Sequence, residues 1–288
     1  MRHTIRPIIR YTIRRIHAER SYPTKSHLTR SSEDLNYDLL HACRTGNIYT
    51  AEAIIHTKKC TNYNVFDNQL KTSLWWTCHN NMTTTASALL HNSQVDRGAT
   101  DIYNNTPLML ACNNRMFHIS DTLLNDYTPQ TNTCNIHEIN VDNYSALSIA
   151  CKQHMPHTAV RIADLAANPQ NAAIVGSAAI GGVFRGQPGA IAFYYACYNR
   201  YEYAANIIAQ HLDYNHIPKI HDIVNTLQVH DHAHGPLVWA CKANMPEVAR
   251  IILDKSPFVD AQDKIYAKKY ILTQPQNTQY NYVLAQIE

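Results

Sequence analysis

Five residues in the C-terminal third, His230-Asp231-His232-Ala233-His234, form the sharpest chemical cluster in the chain. Alternating His on an extended segment point to one face, and imidazole is a common metal ligand. A Zn2+ site there needs a third or fourth ligand, and His216 and His221 are the nearby candidates. The competing reading puts the same residues at a turn tip, as variable polar side chains in a chain that holds 17 His. Cysteine is the other reactive type, and six of the eight Cys close a similar five-residue run. The runs are Leu39-Leu40-His41-Ala42-Cys43, Leu74-Trp75-Trp76-Thr77-Cys78, Leu108-Met109-Leu110-Ala111-Cys112, Leu147-Ser148-Ile149-Ala150-Cys151, Phe193-Tyr194-Tyr195-Ala196-Cys197 and Leu237-Val238-Trp239-Ala240-Cys241. Cys at one equivalent position in each run is expected to be buried and inert rather than nucleophilic. No nucleophile with an oriented base can be read, and no carboxylate pair stands out as acid and base. Gly176, Gly181 and Gly182 do not make a phosphate cradle.

Stepping from one aligned Cys to the next gives intervals of 35, 34, 39, 46 and 44 residues. Self-similarity at such a period marks a solenoid of stacked supersecondary units. The register extends beyond the Cys. Eight residues downstream stand Ala51, Ala86, Ser120, Ala159, Ala205 and Ala249; eleven downstream stand Ile54, Leu89, Leu123, Ile162, Ile208 and Ile252. Small residues followed by bulky ones describe a second helix packed closely on the first. Equivalent Cys on neighbouring helices lie about 10 Å apart, too far for disulfides, so free thiols and a reducing compartment are expected.

The third unit reads Asp101-Ile102-Tyr103-Asn104-Asn105-Thr106-Pro107-Leu108, and the second Asp67-Asn68-Gln69-Leu70-Lys71-Thr72-Ser73-Leu74. Thr106 is placed to cap a helix whose first turn accepts Pro107, and Asp101 suits a tight turn. Asp, four residues, Thr-Pro-Leu, then Ala-Cys resembles the ankyrin repeat. Unit four follows with Asn140-Val141-Asp142-Asn143-Tyr144-Ser145-Ala146-Leu147. Unit five matches more weakly as Gly186-Gln187-Pro188-Gly189-Ala190-Ile191-Ala192-Phe193, and unit six has Gly235 at the cap position. The family's His after Leu is replaced by Leu40, Trp75, Met109, Ser148, Tyr194 and Val238. The turn Gly survives only as Gly46; Asn81 and Asn244 tolerate positive φ, whereas Arg115, His154 and Arg200 do so less readily.

The resemblance implies an all-α solenoid of stacked helix-turn-helix units with β-hairpin tips. Units are expected near 33–66, 67–100, 101–139, 140–185, 186–229 and 230–262, closed by a degenerate cap over 263–288. Unit one is expected as helices over 37–44 and 48–56. The long intervals place insertions around 168–182 and 213–228, either as loops on the binding face or as extra helical turns over 171–180 and 217–227. It further implies a protein-binding module without catalysis or cofactor, whose partner contacts lie on hairpin tips and just after each Cys. Here those positions are Gln69, Lys71, Tyr103, Asn105, Tyr144, His232 and His234, then His79, Asn80, Asn113, Asn114, Lys152, Gln153, Tyr198, Asn199 and Lys242. Effectors that intracellular bacteria and large viruses direct at host cells often use this fold, an analogy that identifies no partner. A metal-binding or enzymatic protein built on His230, His232 and His234 stands as the alternative.

Charge separates the N-terminus from the rest. Residues 1–32 hold seven Arg, Lys25 and a single acid, Glu19, for a net of +7; the whole chain is +3, leaving −4 for residues 33–288. That balance argues against nucleic-acid binding by the array. The arm resembles a mitochondrial transit peptide in composition and would also suit an anionic membrane surface; the alternative is a flexible basic arm without a targeting role. No run of 18 apolar residues suggests a membrane span.

Overall fold

The computed structural model describes residues 31–125, 127, 134–168, 184, 186–212, 214, 234–256, 259–274 and 278–287. The basic arm up to residue 30, most of both long insertions, and His216, His221, His230 and His232 lie outside them.

Fourteen α-helices run through the described residues in seven successive pairs. They are α1 Ser32–Arg44 and α2 Ile48–Thr57, α3 Ser73–His79 and α4 Thr83–Leu90, α5 Pro107–Asn113 and α6 Phe117–Asn125, α7 Ala146–Lys152 and α8 Pro156–Ala167. Then come α9 Gly186–Tyr198 and α10 Glu202–His211, α11 Pro236–Lys242 and α12 Pro246–Lys255, α13 Ala261–Thr273 and α14 Asn281–Ile287. Each first helix packs on the first helix of the next pair, from α1 through to α13, and each second helix does the same from α2 to α14. The chain is thus a two-layer all-α solenoid, and its core is the seam between the layers. The aligned Cys43, Cys78, Cys112, Cys151, Cys197 and Cys241 lie in that seam at 0–2% exposure, with Ala51, Ala86, Ala159, Ala205 and Ala249 facing them. Small side chains at these positions let two helices approach while both bury apolar surface.

One turn geometry joins the first helix to the second in each of the first six pairs. The residue three after the Cys adopts positive φ: Gly46 at 72°, Asn81 at 55°, Arg115 at 54°, His154 at 60°, Arg200 at 58° and Asn244 at 60°. The next N–H then reaches back to the carbonyl just before the Cys. Asn47 donates to Ala42, Met82 to Thr77, Met116 to Ala111, Met155 to Ala150, Tyr201 to Ala196 and Met245 to Ala240, at 2.8–3.0 Å. This is a Schellman-type end, which consumes the orphan carbonyls of a helix terminus. Arg115, His154 and Arg200 therefore accept the left-handed conformation because the hydrogen bond demands it.

Helix starts follow the sequence where a hydroxyl is present. Thr72, Thr106 and Ser145 accept from the N–H of Trp75, Met109 and Ser148, and Ser148 completes a capping box. In unit six Gly235 leaves α11 without a side-chain cap, and the Gly235 N–H donates to Asp263 of α13 at 3.1 Å. A Cβ at Gly235 would meet that carboxylate at 1.9 Å, so any side chain there must displace it.

Four expectations are corrected. The tips contain no strand among the described residues; the bridges Phe66–Thr72 and Ile139–Ser145 are isolated, because each tip is a tight turn with too few residues to extend a ladder. Unit five has no tip at all over 186–190, where the chain is already helical from Gly186. It lacks both the Asp or Asn that closes the turns of units two to four and the hydroxyl that starts their first helices, and Gly189 lies against the backbone of Phe184. In unit one the first helix begins at Ser32 rather than at 37, since Ser31 caps it by accepting from Asp34 N–H. Cys60 and Cys134, which follow no sequence pattern, are nonetheless buried in the core at 8% and 0% exposure, under the connectors.

Burial pushes the thiols of Cys43, Cys78, Cys151 and Cys241 up to about 12. Thiols that stay neutral in the fold but ionise near 9 when unfolded stabilise the protein fully below pH 9 and progressively less as pH rises toward 12. The urea midpoint is therefore expected to fall steeply above pH 9, by about 1.4 kcal/mol per thiol per pH unit. The fall should be shallower in Cys78→Ala; equal slopes in the two proteins would contradict this account. A second outcome concerns Leu70, at a tip, which holds φ 61°. Left-handed backbone costs a side chain about 1–2 kcal/mol relative to Gly, and Gly loosens the unfolded chain by about 0.4–1. Leu70→Gly should raise stability by about 0.5–1 kcal/mol in urea unfolding.

Candidate functional site: the first-helix face

The tips are built by one carboxyl or amide oxygen each. Asp67 accepts from the N–H of Gln69 and Lys71, Asp101 from Tyr103 and Asn105, and Asn140 from Asp142 and Tyr144. Neighbouring tips are joined in series: Ile102 N–H donates to the Gln69 carbonyl and Val141 N–H to the Tyr103 carbonyl, both at 3.1 Å. The Asn140 amide donates to Asn105 Oδ1 at 2.9 Å. The tips of units two, three and four thus form a hydrogen-bonded row that holds Gln69, Lys71, Tyr103, Asn105 and Tyr144 in register.

Beside the tips, the first helices present two rows. One row, two residues before each Cys, is buried to half-buried: Trp76, Leu110, Ile149, Tyr195 and Trp239. The other, one residue after each Cys, is exposed: His79, Asn113, Lys152, Tyr198 and Lys242. Aromatic rings and lysines interlock along these rows. The Lys71 ammonium stands 4.2 Å from the Trp75 ring centre and 4.8 Å from that of Trp76. His79 stacks on Trp75 at 4.9 Å, and Trp76 Nε1 donates to Asp67 at 3.1 Å. Burial, and then the Lys71 charge, lowers the His79 pKa below the ordinary imidazole value.

Further along, Lys152 lies 4.8 Å from the ring of Tyr144 and 5.8 Å from that of Tyr195 in the next unit. Tyr194 meets Tyr195, Tyr198 and, across a unit boundary, Trp239 at 5.0 Å. Lys242 stands 6.0 Å from the Tyr270 ring of α13. His234 is buried at 8% exposure, with its ring 4.3 Å from Tyr266. The other members of the His cluster, His230 and His232, fall outside the described residues. Among the described residues no three His, Cys, Asp or Glu side chains converge as a metal ion requires.

A third row, two residues after each Cys, works within the stack. The Asn80 amide donates to the carbonyls of Cys43 and Arg44, Asn114 to those of Cys78 and His79, and Asn199 to that of Cys151, at 2.7–3.2 Å. Gln153 donates to Asn113 Oδ1 at 3.0 Å. The three Asn clamps add a donor to last-turn carbonyls of the preceding unit, where a helix runs short of its own donors. Sequence reasoning missed this role, although the signal was present: Asn recurs at the same offset in three units.

No family model matches the sequence, and no curated protein matches it. Solved structures similar to it include the ankyrin repeat domain of Bcl-3, a unique member of the IkappaB protein family, at TM-score 0.47 and 16% identity, covering 76% of this chain and 86% of that one. Another is the human ASB11 ankyrin repeat domain, at TM-score 0.42 and 18% identity, covering 86% of this chain and 96% of that one. The fold is an ankyrin-type solenoid on the strength of this chain's own repeat: paired helices, capped tips and one turn geometry carried through six units. No helix among the described residues is long and apolar enough to cross a membrane.

The clamps have a measurable consequence. Asn114→Ala removes the inter-unit donor from the Cys78 and His79 carbonyls and should cost about 1–2 kcal/mol in urea unfolding. His118→Ala, exposed on the second helix of the same unit, should stay within about 0.5 kcal/mol of the parent. Equal losses for the two would show that the clamp adds nothing special.

Proposed function

We propose that the chain is a protein-interaction module that seats a partner protein on its first-helix face and carries out no chemistry of its own. One observation carries this reading: five successive first helices place a half-buried apolar row and an exposed polar row side by side, with the tips locked in register next to them. Such a surface supplies contact area and adaptable polar groups without a catalytic cleft. Tyr and Trp give it rigid, amphipathic anchors. A shallow, open depression of about 340 Å3, lined by Gln210, His211, Ile251, Asp254 and Lys255, lies on the second-helix layer and holds no Ser, Thr or Cys beside a base. The buried thiols are held far from the reactive range. Eight free Cys support residence in a reducing compartment.

The partner contacts proposed on this face are Gln69, Lys71, His79, Tyr103, Asn105, Asn113, Tyr144, Lys152, Tyr198 and Lys242. Asn80, Asn114, Gln153 and Asn199 support it from behind through their clamps. The test is quantitative capture of binding proteins by the full chain, compared with two variants. Tyr198 is 70% exposed on the first-helix face and Tyr203 is 60% exposed on the second-helix layer. Tyr198→Ala should weaken capture about tenfold, the loss of one moderate hot spot, while Tyr203→Ala leaves it unchanged. The reverse pattern would move the binding site to the other layer.

A further inference from the structure

Charge is sorted between the two layers. The first helices of units two to six, α3, α5, α7, α9 and α11, contain no Asp or Glu in any position. Their charged side chains are Lys152 and Lys242, with His79 in the same exposed row. The second helices of units three to six carry Asp121, Asp164, Glu202, Glu247 and Asp254. Several of these acids are matched on their own layer: Arg161 meets Asp121 at 3.2 Å, and Arg250 meets Asp254 at 3.1 Å. Lys152 stands over the rings of Tyr144 and Tyr195, and Lys242 faces Tyr270. An ammonium over a ring keeps its charge directed outward and loses little rotamer freedom on binding. Within a chain whose array is net negative, this face is a basic and aromatic strip without a carboxylate on its helices.

We propose that this strip binds an extended acidic segment of a partner protein, lying along units four to six with two carboxylates on Lys152 and Lys242 and apolar side chains packed on Tyr195 and Tyr198. The inference rests on the interaction-module reading and specifies its partner's chemistry. Geometry sets the spacing. Neighbouring helices pack about 10 Å apart, so two units separate the lysines by roughly 20 Å. An extended strand advances about 3.3 Å per residue, which puts the two acids about six residues apart. The rings between the lysines then receive the intervening side chains. A nucleic-acid strand fits less well, because two lysines neutralise too few phosphates and the array repels the rest of the backbone.

The probe is a phage-displayed library of random peptides about sixteen residues long, enough to span two units when extended, panned on the full chain. Enriched peptides are then measured by fluorescence polarisation. The expected peptides carry two acids about six residues apart, bind more weakly as salt rises, and lose at least tenfold affinity with Lys152→Ala combined with Lys242→Ala. Lys152→Arg combined with Lys242→Arg should restore binding, and circular dichroism should show all variants folded. Neutral peptides that depend on Tyr198 but ignore both lysines would overturn the acidic-segment proposal and leave the interaction module standing. Peptides indifferent to Tyr198 and to both lysines would sink both readings. Failure to enrich any acidic peptide, or tighter lysine-dependent binding of an oligouridylate than of any peptide, would also overturn the proposal.

Discussion

No unit of this protein can bury its own core, and that constraint shapes everything else. The helices α3, α5, α7 and α11 have seven residues each, about two turns, well below the length at which an isolated helix is stable in water. They persist because each is covered on three sides, by the preceding first helix, the following one and its own second helix. Coverage on three sides requires close approach, and close approach requires small side chains where the helices meet. The Ala-Cys pair meets that demand. Cys fills slightly more volume than Ala, adds no hydrogen-bonding obligation, and keeps its proton because ionisation in the seam is disfavoured.

A stack of short helices leaves many backbone groups unsatisfied, since each terminus orphans several donors or acceptors. The molecule meets this with three repeated devices at three offsets from the Cys. A hydroxyl caps the helix start, a left-handed residue closes its end, and an Asn or Gln amide reaches back to the preceding unit. The devices are not complete in every unit. Gly235 has no hydroxyl and leaves the start of α11 without a side-chain cap, while Asp263 from the next unit accepts the Gly235 N–H. Unit five has neither turn acid nor cap, so its helix extends back to Gly186 and covers the gap with its own first turn. The backbone's hydrogen-bond requirement, more than apolar burial, distinguishes one register of stacking from another, because apolar burial alone tolerates small slips.

The sequence made some of this legible. Ala42-Cys43 and its five successors expose the period because packing constrains those positions in the same way in every unit. Thr72, Thr106 and Ser145 marked helix starts for a local chemical reason that holds without tertiary context. What escaped were features set by contact between distant segments. Asn80, Asn114 and Asn199 read as surface polar residues until their amides are placed on carbonyls 36 to 48 residues away. Cys60 and Cys134 looked patternless because connectors of differing length bring them to the seam. Gly186 to Ala190 resembled a degenerate tip by alignment with its neighbours, although the residues that make a tip were absent.

The same division explains where a functional surface can arise. Positions that stack are fixed in type, so variation is confined to residues just before and after the Cys and to the tips. Those positions fall into rows by construction, because every unit repeats the same geometry. Row order then converts a one-dimensional choice of residue types into a two-dimensional pattern of charge and rings. Here the exposed row runs Arg44, His79, Asn113, Lys152, Tyr198, Lys242 without a single acid, while in units three to six the helical acids lie on the other layer. Stability does not require that sorting, since exposed ion pairs contribute little and would serve equally on either side. A surface kept free of carboxylates across five helices, and stiffened by rings that hold its lysines, is arranged for complementarity with something outside the chain.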